Sequence, residues 1–156
     1  MADANKLKNS TNVYNSLCAM LDARNIRYVK HPEDLSVTFT MQGEDIPMNF
    51  VLLVDADREL VRLMSPLPVT FDPSKRLEGA IATSQINYSL ADGNFDFDFK
   101  TGRVVFRLTS SFVDSIISQE LLEYMIGVSW YVVDEYNDKL LMLSKGTLPL
   151  DAFLTK

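Results

Sequence analysis

The chain has 156 residues, enough for one domain with a core that needs neither disulfides nor metal. Its 21 acidic and 15 basic side chains give a net charge of −6, and the basic residues are scattered. That pattern argues against nucleic acid as a direct ligand, because phosphate binding needs clustered Lys and Arg.

The start, Met1 to Lys6, has no apolar run behind it, so no signal peptide is expected. The first helix is predicted from Asn5 or Ser10 to Arg24. Leu7, Tyr14, Leu17, Cys18 and Leu21 form its apolar stripe. Asn25 is its terminator, and Lys30 to Asp34 reads as a turn. From Leu35 the period becomes two, with Leu35, Val37, Phe39 and Met41 alternating with polar residues. Gly43-Glu44-Asp45 makes a hairpin loop to a second strand, Met48 to Val54, apolar enough for a central place. Asp55 to Arg58 turns the chain into a third strand, Leu60 to Met64, which Pro66 and Pro68 are expected to end.

Asp72-Pro73 marks the start of a second helix, to Ser89, with a weak stripe of Leu77, Ala80, Ile81, Ser84 and Tyr88. A surface this mild leaves part of it for solvent or a partner. Asp92-Gly93 returns the chain to strand. Phe95 and Phe97 alternate with Asp96 and Asp98, and after Lys100-Thr101-Gly102, Val104, Phe106 and Leu108 alternate with Arg103, Val105 and Arg107. This is a β-hairpin with aspartates facing arginines. The last helix starts at Ser118 as N-cap. Leu122, Ile126, Ser129, Val133, Tyr136 and Leu140 define its broad apolar face, and Gly146 and Pro149 stop it. The tail from Leu148 is short and expected to be mobile. The plan is α-β-β-β-α-β-β-α, an α+β fold with one antiparallel sheet, taken as a single domain over 1–156 with its core in 10–146.

Residues able to carry chemistry are few. His31 is the only histidine and precedes a proline in a polar loop, which favours a solvated residue over a metal ligand. Cys18, the only cysteine, lies on the apolar stripe and reads as an inert core residue in a reducing compartment. Asp92, Asp96 and Asp98 lack the calcium-loop pattern. No phosphate-cradling glycine motif and no nucleophile elbow occur. No catalytic, cofactor or metal site is therefore assigned. The residues that depart from an ordinary surface are Tyr124 and Tyr131 on the polar face of the last helix, with Trp130 at its flank. Val105, between two arginines on a strand expected to be open to pairing with another chain, is a further candidate for partner binding.

The stretch from Asn87 to Arg107 resembles the YbjN family, called bacterial sensory transduction regulators. The shared positions are Asn87, Gly93, Phe95, Gly102, Phe106 and Arg107, with Ser118 to Leu122 resembling that family's last-helix start. The resemblance implies a fold similar to type III secretion chaperones, and a protein-binding or regulatory role without catalytic residues. It also implies a homodimer. Gly93 and Gly102 read as turn formers and Phe95 and Phe106 as core. The expectation is a cytoplasmic, non-catalytic adaptor with a protein partner, no membrane and no cofactor. A small-ligand sensor and an enzyme with an unrecognised carboxylate site are the alternatives.

Overall fold

The structure, a computed structural model, describes residues 3–155. Helix α1 spans Ala4–Ala23, and the Asp3 carboxylate accepts from the Lys6 N–H at 2.8 Å to cap it. Asn25, at φ 57°, ends it as expected. Tyr14, Leu17, Cys18 and Leu21 are buried, but Leu7 is exposed. The first turn is held at the rim, where Lys6 pairs with Glu59 at 3.3 Å.

Strands β1 (Val29–His31), β2 (Ser36–Gln42), β3 (Pro47–Asp55) and β4 (Leu60–Thr70) follow, then β5 (Asn94–Asp98) and β6 (Arg103–Ser111). All pairings are antiparallel, in the order β1-β2-β3-β4-β6-β5. The expected α+β architecture with one antiparallel sheet is present, with two departures among the strands.

The segment expected to be a turn from Lys30 begins as strand β1, because Val29, Lys30 and His31 add to the edge of β2 opposite Thr38, Val37 and Ser36. Three residues hold no strand signal by themselves; only the neighbouring strand makes them one.

The prolines do not end β4. Beyond Met64 its pairing with β3 stops while β6 continues alongside, so Pro66 and Pro68 lie where one side of the strand has no ladder to complete. The Asn49 carbonyl on β3, with no proline N–H to meet it, accepts from Ser65 Oγ at 2.8 Å.

A 3-10 turn at Pro73–Lys75 leads into α2 (Arg76–Ser89), so the Asp72-Pro73 start is correct, although the Asp72 side chain makes no capping bond. The longest helix, α3, spans Gln119–Ser144, capped by Ser118 Oγ accepting from the Leu121 N–H at 3.1 Å. Gly146, at φ 75°, supplies the left-handed residue after it. The tail forms a short helix, α4 (Leu150–Leu154), whose Phe153 packs half-buried against the core.

The helices cover one face of the sheet. Beneath them lie Phe39 stacked on Phe50 at 5.4 Å and Phe95 edge-on to Phe106 at 5.2 Å. Burying a side chain such as Phe106 completely contributes about 1.5–3 kcal/mol. The opposite face, carrying the half-buried Val51, Leu53, Met64 and Val105, has no helix over it among the described residues.

The residues of the YbjN-like stretch are structural, as read from sequence. Asn87, near the end of α2, donates to the Phe95 carbonyl at 2.9 Å and accepts from the Phe95 N–H at 2.7 Å. Gly93 and Gly102 both adopt φ 75°. A Cβ on Gly93 would stand 2.4 Å from the Phe106 ring, and one on Gly102 would stand 2.0 Å from the Phe71 carbonyl oxygen. Arg107 pairs with Asp96 at 2.7 Å. Asp98 faces Arg103 in register, but its carboxylate is spent on the turn, accepting from Lys100 N–H and Thr101 Oγ1.

Candidate functional site

The β2–β3 loop closes onto the middle of α3 through backbone and side-chain bonds. Glu44 donates its N–H to Asp134 Oδ1 at 2.9 Å, and the Trp130 indole donates to the Gln42 carbonyl at 3.1 Å. Gly43 permits the approach, since a Cβ there would lie 2.3 Å from that same Asp134 oxygen. The result is a groove of about 240 Å³. Glu44 and Asp45 line one wall; Asp134, Glu135 and Asp138 line the other, with Trp130 and Tyr131 between them. Lys139 is the single cation there among the described residues, and it is committed to Glu135 at 2.6 Å and lies over the Tyr136 ring at 5.4 Å. That bond to Glu135 raises its pKa.

Trp130 and Tyr131 are thus brought together. Trp130 is half-buried and fixed, and Tyr131 is 66% exposed. Tyr124 is exposed too, but two turns away beside Asp92, whose negative charge raises the phenol pKa above its usual value. Val105 belongs elsewhere: it is half-buried on the uncovered face of the sheet, opposite Pro66 and Asp96. The expectation that its strand is open to pairing is wrong, because β6 lies between β4 and β5. The return strand of the hairpin docks on the three-stranded meander, which sends β5 to the rim.

The sheet edges differ. At β5 the outward N–H and carbonyl of Phe95 are taken by Asn87. At the other rim, β1 covers β2 only from Ser36 to Thr38. Beside the uncovered part runs a trough of about 460 Å³ bordered by Arg27, Tyr28 and Val29 on one side and Phe39 and Thr40 on β2.

Helix α2 is turned away from the face the sequence favours. Gly79, Ala82, Thr83 and Ile86 are buried, whereas Leu77, Ile81 and Tyr88 are 65%, 40% and 89% exposed. A Cβ on Gly79 would meet the Phe97 ring at 2.6 Å. Close approach of the helix to that ring selects the small-residue face, and the weak apolar stripe is left to solvent. Phe99 is also exposed and stands edge-on to Phe97 at 6.3 Å. The residues Gly79, Ala82 and Thr83, small and on one helical face, were the signal.

The other polar candidates are accounted for locally. Cys18 is buried and unpaired. His31 is in β1 rather than in a loop, with Nε2 3.1 Å from Thr38 Oγ1. At Asp55, burial alone would raise the pKa, but the Arg58 N–H and guanidinium and the nearby Arg62 lower it overall. For Tyr28, burial raises the phenol pKa first and the hydrogen bond to Asp22 adds to it. Among the described residues no group of three metal-ligating side chains converges.

A six-stranded antiparallel sheet covered by helices on one face, with exposed apolar and aromatic side chains on α2 and α3, makes this an α+β protein. No family model matches the sequence, and no curated protein does. Among solved structures, YbjN from E. coli, described as a candidate transcription regulator, superposes with a TM-score of 0.59 at 11% identity, over 86% of this chain and 92% of its own. A chain of the ExsC–ExsE complex gives 0.58 at 18% identity, over 85% and 95%. The HopA1–SchA chaperone–effector complex gives 0.48 at 17% identity, over 78% and 92%, too loose to bear on this chain. At these identities the likeness is one of fold. Among the described residues no helix is long and apolar enough to cross a membrane.

Proposed function

We propose that this chain is a non-catalytic protein-binding module, a chaperone-like or regulatory adaptor of the YbjN type that acts as a homodimer. The observation that carries the reading is the outward face of α2. Leu77, Ala80, Ile81, Ser84, Gln85 and Tyr88 present no charge in a chain of net −6. Two such faces meet without opposed like charge, and large exposed apolar patches mark interaction sites. The fold shared with a member of the ExsC–ExsE complex supports protein binding as the use of this scaffold. The buried, unpaired Cys18 fits a reducing, cytoplasmic setting.

Light scattering on the purified chain is the test, run beside affinity capture with every retained protein identified and rebuilt from pure components. The reading expects a dimer that Ile81→Glu splits into folded monomers, and at least one rebuilt complex. A wild-type monomer at every concentration, or no rebuilt complex, refutes it.

A further inference from the structure

The groove between the β2–β3 loop and α3 combines two features. The first is charge: five carboxylates face one ammonium, and that ammonium is already paired to Glu135 at 2.6 Å. No salt bridge reaches the carboxylates of Glu44, Asp45 or Asp138 among the described residues. The second is aromatic surface. Tyr131 is 66% exposed in the midst of these acids, where its ring gains nothing from the core. Trp130 beside it is held in place by its indole bond to the Gln42 carbonyl at 3.1 Å. An aromatic platform rimmed by carboxylates complements a flat, cationic, hydrogen-bond-donating group.

We propose that this groove takes an arginine side chain from a basic, extended segment of the protein partner. The guanidinium is planar and weakly hydrated and stacks on aromatic rings, while its donors reach carboxylates in a fork. A lysine ammonium offers charge without the plane. The groove's volume, about 240 Å³, suits one or two side chains rather than a folded domain. Because Asp134 already accepts from the Glu44 N–H, the wall nearest Trp130 is preorganised. The acids without a salt bridge, Glu44, Asp45 and Asp138, are then the anchors for the incoming charge. This assignment rests on the protein-binding reading above and gives the partner a chemistry: basic, arginine-bearing, and complementary to an acidic adaptor.

The probe is an octapeptide carrying two arginines in a glycine–serine background, titrated into isotope-labelled full-length protein and followed by amide and indole shifts. Its comparators are the same peptide with citrulline, which keeps the shape and loses the charge, and with lysine, which keeps only the charge. The proposal expects saturable shifts confined to residues 43–46 and 130–139 and the Trp130 indole. It expects binding weakened about tenfold or more by citrulline, by Tyr131→Ala and by Asp138→Asn. Tyr131 is exposed and Asp138 half-buried, and unchanged shifts elsewhere certify that the variants fold. Equal binding of the citrulline or lysine peptide overturns it, as do shifts spread over the whole acidic surface or an unaffected Tyr131→Ala variant. Dimerisation and the rebuilt partner complex are read separately. A groove that fails while those persist removes this assignment and leaves the adaptor reading standing.

Discussion

Asn87 is the residue through which α2 finishes the edge of the sheet, and its removal can be worked out in numbers. Phe95 is opposite Phe106 in register, yet both of its backbone polar groups bond to the Asn87 amide, at 2.7 and 2.9 Å. They therefore point away from β6, off the rim. Asn87 imitates one residue of a further strand. In Asn87→Ala the N–H and carbonyl of Phe95, itself 2% exposed, lose both partners together. Leaving a buried donor or acceptor unmet costs about 1–3 kcal/mol each. The site is only part-buried, so water recovers some of this, and the expected total is about 2–3 kcal/mol. In a chain of this size that corresponds to a fall of about 5–10 °C in melting temperature. Urea unfolding followed by circular dichroism measures it, with Lys8→Ala, an exposed position on α1, as the near-neutral control. Asn87→Asp keeps acceptance from the N–H but sets a carboxylate against the carbonyl, and should lie between wild type and alanine. A loss below about 0.5 kcal/mol for Asn87→Ala would refute the reasoning, because the edge would then be satisfied without Asn87.

Three other outcomes follow from the same structure. Gly102→Ala combines a φ of 75° with a Cβ 2.0 Å from the Phe71 carbonyl oxygen; it should cost about 3 kcal/mol or more, read by the same unfolding assay. Asp55 has a depressed pKa in the folded chain, so its contribution is present above the ordinary carboxylate pKa and is lost as pH falls through the folded value. Stability measured from pH 6 down to about pH 2 should fall on the acidic side, and Asp55→Asn should flatten that fall. Cys18 is 6% exposed on α1, so a thiol reagent should label it only at the rate of unfolding, and rapid labelling under native conditions would place it at the surface.

The management of sheet edges explains why the surroundings of the candidate partner-binding residues were only partly visible. Which strand is a rim strand depends on where a hairpin docks, and period-two alternation carries no information about that. Val105 was singled out for a strand whose neighbours on both sides turned out to be filled. The trough along β2 had no sequence signal, because it exists only where β1 is too short to cover its neighbour.

Local chemistry was legible wherever a residue acts on its own few neighbours. Period and caps placed α1, α3 and the β5–β6 hairpin, with Asn25, Gly102, Gly146 and Ser118 at their ends. The run from Asn87 to Arg107 foretold the fold, since its glycines and phenylalanines are set by close contacts that few other residues can make. Orientation was a different matter. Hydrophobic periodicity assigned the α2 stripe of Leu77, Ile81 and Tyr88, but the helix packs Gly79 against Phe97 and Phe71 and buries Ala82, Thr83 and Ile86 instead. Likewise Pro66 and Pro68 stay in β4 because β3 has already left it. Trp130 and Tyr131 could be named from the helix, but their groove required Gly43, whose neighbour Glu44 bonds to Asp134 ninety residues further along the chain, to bring the loop across. Sequence determines what each segment prefers, and tertiary packing decides which face it shows, because closeness of approach outweighs the hydrophobicity of any single stripe.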